Sequence, residues 1–431
     1  MRAILCAAAA AALTLVTTGP ARSETSSSAL TADDAVREAL AANRDLQAAR
    51  LAIDIARGHR LQAGRLDNPE LELGYTDDFA FSAEGESLAS IGFAQSFPVT
   101  ARLAREKDVA SKDVAIAESE VRDFARALVA EVESAFYAVR ALDERIAVGS
   151  QLIESVGRAE KATARRLEAA EVSPADLSLL RIERLRLEQD AKRLSRDREV
   201  EAAALVRLLG RATPLGLELA GEIDPAPRPP ADGSQPGARP DLEAASRRIE
   251  RAEADRRLAH AEVWEDWTVG VGWEREVGVI DDPSLEIVDR DQLLGVQLRV
   301  PLPLWNRRQG RIAAAEAEHR RARVSRDALV LRIDEQIRAA EARVRNLRSS
   351  VDAYVEEILP EATRSQELFE RGYQHGLVGI AELLQAQRQY NESRALHIEL
   401  LGDLRKAAIQ LEAALGTSSH LAGFGTQGGT P

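Results

Sequence analysis

The chain has 431 residues, of which 29% are charged and only 4% aromatic, and its formal net charge is -13. A chain this acidic lacks the basic face that wrapping nucleic acid requires. Scarce aromatics beside abundant Ala, Leu, Arg and Glu favour long helices over one large globular core.

Residues 1–23 read as a secretory signal. Arg2 supplies the positive end, and Ala3 to Val16 is an apolar run too short to span a bilayer. Ala21-Arg22-Ser23 fits a small-x-small cleavage site. Cys6 is the only cysteine and Met1 the only methionine. The expected mature chain therefore holds no disulfide and no soft sulfur ligand for a metal.

A short tether is expected over Ser26–Leu30, followed by a helix capped by Thr31. That helix is predicted to run unbroken through Val36, Leu40, Leu46 and Ile53 to about Leu66, where Asn68-Pro69 stops it. Leu71, Leu73 and Tyr75, then Ile91, Phe93 and Phe97, alternate with small or polar residues. This period of two predicts a pair of strands over about 69–97. An acidic loop (Asp77, Asp78, Glu84, Glu86) is expected between them. After Pro98 a helix pattern free of proline runs from about Ala101 to Ala169. Pro174 marks a break, and a second helix continues from about Asp176 to Leu209. Residues 211–238 are rich in proline and read as a linker.

The pattern then restarts. Asn43-Arg44-Asp45-Leu46 matches Arg239-Pro240-Asp241-Leu242 at an offset of 196, Pro98 matches Pro301 at 203, and Asp176 matches Glu382 at 206. Shared order with a slowly rising offset points to an internal duplication. It divides the chain into a first repeat, 24–210, and a second, 239–416, with a disordered tail expected over 417–431. In the second repeat, strands are predicted over about 266–301, with Trp267, Val269, Val271 and Trp273 on one face. Asp281, Asp282, Glu286, Asp289 and Asp291 are assigned to a loop between those strands. Val330, Ile333, Ile337, Ala340, Val344, Leu347, Val351, Tyr354 and Ile358 then step alternately by three and four, a coiled-coil seam. Pro360 should kink that helix. A turn at Gly376–Gly379 precedes the last helix.

Four strands of about ten residues have the length of tilted transmembrane strands. Alone they cannot close a barrel, and open edges in lipid would leave ladder groups unpaired. Either the sheet is soluble, or several copies share one barrel. The long helices equally need neighbours along their length.

At the changeover from strand to helix stands Pro301-Leu302-Pro303-Leu304-Trp305-Asn306-Arg307-Arg308-Gln309-Gly310. This junction resembles that of the cation-efflux, CzcC-like branch of the TolC family of outer-membrane efflux channels. The wider resemblance runs from about Thr31 to Gly416. It implies a mainly α fold with a small β part: a long α-helical barrel plus four strands per chain, making twelve in a homotrimer. It places the protein in the outer membrane of a Gram-negative bacterium, in contact with outer-membrane lipid and with a long periplasmic part. The implied partners are a periplasmic adaptor (membrane fusion) protein and an inner-membrane pump of the resistance-nodulation-division (RND) type. The implied cargo is a heavy-metal cation of the Co/Zn/Cd/Ni class; a duct for drugs or type I secretion cargo is the alternative. No catalysis, no cofactor and no nucleic acid are expected.

The resemblance also implies a periplasmic gate and adaptor-contact tip at the helix turns, matched here by Asp176, Tyr373, Gly376, Glu382 and Gln385. Where a second gate acid would stand, this sequence has Gln385. Asp176 and Glu382 equally fit a plainer role, as first-turn acids favoured by the helix dipole. The junction positions are Pro98, Pro301, Pro303, Trp305, Asn306 and Gly310. The six histidines are scattered without metal-ligand spacing.

Overall fold

The computed structural model describes residues 29–79, 85–212, 217–224, 239–282 and 285–417. The expected signal, Glu84, most of the linker and all of the tail but Thr417 lie outside the described residues. The chain is mainly helical with one small sheet, as expected. Helices α1 (Ala32–Ala42) and α2 (Arg44–Gln62) lead into strands β1 (Glu70–Asp77) and β2 (Ser87–Phe97). Helices α3 (Arg102–Glu168) and α4 (Pro174–Leu208) follow. The second half repeats this order with α5 (Pro240–Ala261), β3 (Trp267–Asp282), β4 (Leu285–Arg299), α6 (Gln309–Ala353), α7 (Leu359–Gln374) and α8 (Ile380–Leu415). With 67 residues, α3 is about 100 Å long at 1.5 Å per residue.

The first predicted helix is in fact two. Asn43 divides it: its Oδ1 accepts from Leu46 N at 2.8 Å and caps α2. Its Nδ2 donates 2.9 Å to Leu208 O at the end of α4. Periodicity could not reveal this break, because the apolar spacing continues through it. Arg239 holds the corresponding place in the second half. Its guanidinium donates 2.7 Å to Ala414 O at the end of α8 and pairs with Asp241. Both helix ends close on a left-handed glycine, Gly210 at φ 75° and Gly416 at φ 71°. A Cβ on Gly210 would collide with Ala42 O, so only glycine fits there. Each half thus ties its last helix back to its first.

Part of the expected linker is core. Leu217, Leu219 and Ile223 are buried with Val36, Val129, Phe136 and Leu205. Leu30, assigned to the tether, forms a parallel bridge with Leu219. The coiled-coil seam holds in its middle: Ile333, Ile337, Val344 and Val351 are buried against Leu404, Ala408 and Leu411 of α8. Its ends, Val330 and Ile358, are exposed. Ahead of Pro360 the helix widens into a π turn, Tyr354–Ile358, before continuing as α7. Proline has no N–H to donate, so the wider winding is how the chain takes up the defect.

The four strands form one antiparallel sheet in the order β1-β2-β3-β4. Asp281, Asp282, Glu286, Asp289 and Asp291 belong to its ladder, with Asp281 opposite Glu286 and Glu276 opposite Asp291. The predicted acidic loop is therefore an extension of β3 and β4. Charge hid the strands, because acids are depleted from strands in general.

Candidate functional site: the helix tips, the junction and the two sheet faces

Two turns form one end of the helical part. In the first, Ala170 adopts φ 55° and Glu171 N donates to Arg166 O at 2.9 Å, closing α3. In the second, Gly376 at φ 68° lets Leu377 N donate to Gly372 O at 2.8 Å, closing α7. Both are helix stops of the left-handed type. The next helix then starts from an acid. Asp176 accepts from Ser173 N at 3.2 Å, and Glu382 accepts from Gly379 N at 2.9 Å. One oxygen of each acid is thus committed to its own helix start, which is the plainer of the two expected roles. Gln385 is exposed one turn further on.

Tyr373 is half-buried against a small cluster of Val156 from α3, Leu180 from α4, and Ile380 and Leu384 from α8. This cluster joins the two helical hairpins near their turns. Beside it lies a feature that sequence reasoning missed. Glu183 of α4 is 3% exposed and accepts from Arg388 of α8 at 2.5 Å. The Glu183 carboxylate pushes the Arg388 guanidinium above its ordinary value, against the opposing effect of burial. The only sequence signal is spacing: Glu183 follows the buried Leu180 by three and Arg388 follows the buried Leu384 by four. Within the first hairpin, Glu160 of α3 accepts from Arg184 at 2.7 Å and from Arg181 at 3.1 Å of α4. The Arg184 hydrogen bond, opposed by burial and aided by Arg181, holds Glu160 below the usual carboxylate range.

At the other end, both junctions turn sharply. Pro98 follows β2, and Thr100 donates to Ala261 O at 2.9 Å. The second junction is longer. Pro301 and Pro303 lead into Trp305, which is 88% exposed. Asn306 Oδ1 accepts from Arg308 N at 3.0 Å, and Gln309 Oε1 accepts from Arg307 N at 3.1 Å. Arg308 itself adopts φ 56°. A Cβ on Gly310 would meet open space, so packing does not demand glycine there.

The register sorts the sheet into two faces, since directly paired residues point the same way. One face carries Leu71–Phe93–Val271–Val296 and Leu73–Ile91–Trp273–Leu294 as rows across all four strands. Most of these side chains are exposed, Val296 by 77%. The opposite face carries Glu70–Ala94–Gly270–Gln297 and Glu72–Gly92–Gly272–Gly295. Beyond them lie Gly74–Ser90–Glu274–Leu293 and Thr76–Leu88–Glu276–Asp291. Five carboxylates stand on these four rows without one basic residue; Arg299, further down beside Thr268, is the nearest. An apolar face open to its surroundings beside an acidic, glycine-rich one is the pattern of a membrane barrel wall.

The family pattern described as "Outer membrane efflux protein" matches residues 35–211 and 237–417. The chain belongs to the outer membrane efflux protein family. It is a family of channels rather than enzymes. The family resemblance drawn from the sequence is borne out. The cobalt-zinc-cadmium resistance protein CzcC of Cupriavidus metallidurans is 25% identical over 397 residues, covering 90% of each chain. Among solved structures, a membrane protein from Pseudomonas aeruginosa is similar at 21% identity and a TM-score of 0.71, over 89% of this chain and 92% of that one. CusC is similar at 18% identity and a TM-score of 0.72, over 89% of this chain and 91% of its own. Both structures share the fold of this family member. No helix among the described residues is long and apolar enough to cross a membrane. Nor do the described residues hold a cluster of three or more His, Cys, Asp or Glu arranged for a metal ion.

Proposed function

We propose that three copies of this chain form the outer-membrane channel of a tripartite efflux system, a passive exit duct for heavy-metal cations of the Co/Zn/Cd/Ni class. The carrying observation is the sheet with its exposed apolar face and its acidic face. Four strands cannot close on themselves, and three copies supply the twelve of a closed barrel, with every ladder group paired. The apolar rows then face lipid and the carboxylates face the lumen. Fixed negative charge along a narrow path raises the local concentration of cations and speeds their passage. Similarity to CzcC supports the same cargo class. The long helices extend the duct into the periplasm of a Gram-negative cell. There an RND pump and a periplasmic adaptor deliver the cargo. The turns carrying Asp176, Tyr373, Gly376, Glu382 and Gln385 form the closed tip and the adaptor contact.

Growth of a strain lacking this gene tests the reading, on zinc, cobalt, cadmium, nickel and copper beside dyes, detergents and antibiotics. Sensitivity confined to the divalent metals is the expected result. Sensitivity to organic compounds with normal metal tolerance would instead assign a drug-type duct. Unchanged growth on all of them would remove both readings.

A further inference from the structure

The sheet has two free edges, β1 and β4, and at the same end each edge continues into an exposed apolar feature. Beyond β4 stands the Pro301–Arg308 hook with Leu302, Leu304 and Trp305 exposed. Before β1, in the last turn of α2 and the turn that follows it, Leu61 and Leu66 are exposed. Both features are held rigid by their own contacts. The prolines fix the hook, and Asn306 and Gln309 brace its backbone. The α2–β1 turn is tied down by Gln95 Nε2, which donates to Asp67 O at 2.9 Å, and by Gly64 packed on Leu103. Arg308 at φ 56° is strained for a residue with a side chain, and such strain persists only where surrounding structure enforces it. Rigid surfaces lose little freedom on docking.

We propose that the Pro301–Arg308 hook of one copy packs against the Leu61–Leu66 turn of the next copy, with Trp305 as its centre. The proposal rests on the barrel reading above, in which β4 of one copy meets β1 of its neighbour. The hook and the turn directly extend those two edges, so pairing the edges brings the two apolar patches together. The same contact would close the strand wall and the helix wall at their common boundary. The first-half junction, Pro98–Thr100, lies inside the chain between β2 and α3, has no neighbouring copy to reach, and is short.

Because Cys6 lies in the expected signal segment, the mature chain offers a cysteine-free background. Full-length protein carrying both Leu66→Cys and Trp305→Cys would be purified in detergent, oxidised and run on a denaturing gel, and its mass measured by light scattering. Within one chain the two positions sit at opposite edges of the sheet. Three strand spacings of about 4.8 Å separate the β1 and β4 edges themselves by about 14 Å, beyond the roughly 7 Å between Cα atoms that a disulfide can span. A covalent dimer or trimer on the gel reports a cross-link between copies. A trimeric mass with covalent trimers on the gel is expected. A trimeric mass without cross-links would overturn the clasp and leave the trimer standing. A monomeric mass would overturn both. Should the double variant fail to fold, a chain with Trp264, Trp267 and Trp273 changed to Phe leaves Trp305 as its only indole. In lipid bilayers its fluorescence should resist both aqueous acrylamide and brominated acyl chains. Quenching by acyl chains would assign Trp305 to lipid, quenching by acrylamide to open water, and either result would overturn the proposal.

Discussion

Glu382 and Asp176 each serve a helix start, so removing the whole side chain would confuse two effects. Gln and Asn keep the accepting oxygen and delete only the charge, and Gln serves a capping position as well as Glu does. The pair Glu382→Gln with Asp176→Asn should therefore lose no more than the helix-dipole contribution, about 0.3–1 kcal/mol per acid, and lower the preference for cations over anions in planar bilayers. Unaltered selectivity would leave these acids as caps alone. Glu183 and Arg388 present the opposite case, an ion pair between α4 and α8 whose carboxylate is buried and whose guanidinium reaches water. Stranding one charge in a buried pair usually costs about 3–5 kcal/mol, less where one partner reaches water as Arg388 does. Arg388→Met should thus cost about 2 kcal/mol in thermal unfolding. The double change Glu183→Leu with Arg388→Met should recover most of that loss. Equal losses in the single and double variants would mean that packing, not the stranded charge, sets the cost.

At the scale of the element, the α3–α4 hairpin is tied near its turn by one carboxylate held below its usual range. It is Glu160, bridging α3 to Arg184 and Arg181 of α4. A carboxylate with a lowered folded value adds stability above its unfolded value near 4.5, and that stability is lost as pH falls through the folded value. Hydrogen-exchange protection at the α3–α4 turn, measured against the intrinsic rate at each pH, should fall below about pH 4.5, and Glu160→Gln should flatten that dependence. An acid-insensitive turn in the unaltered protein would discount the bridge. The strands teach a separate lesson about elements. Trp267 to Trp273 were legible because apolar and small residues alternate there, whereas Glu286 to Asp291 were read as loop. Glu286 pairs with Asp281 and Asp291 with Glu276 across the hairpin, and it is their acidity, depleted in strands, that hides the pairing.

Across the whole molecule, the two sheet faces decide how the chain can be used. Val296, fourth from the junction end of β4, stands on the apolar face, and Gln297 beside it stands on the acidic one. An arginine facing lipid costs about 2–4 kcal/mol at the bilayer midplane and less toward the interfaces, while lumen positions tolerate charge. Val296→Arg should therefore reduce the yield of assembled trimers in the outer-membrane fraction, and Gln297→Arg should leave it intact. Equal yields would mean that the apolar rows do not face lipid.

Much of this was written along the chain. Helix lengths, strand alternation, the prolines at the junctions and the repeat of Asn43-Arg44-Asp45 in Arg239-Pro240-Asp241 are local patterns, set by side-chain period and by what proline cannot do. Other features depended on partners distant in sequence. Asn43 breaks a helix because Leu208 O lies beside it. Leu217 and Ile223 are core rather than linker because α1, α3 and α4 leave a space for them. Glu183 is buried because α8 brings Arg388 to it. A local window carries propensity and period, but the burial of a polar group is favourable only when its partner arrives, and only the tertiary structure decides that.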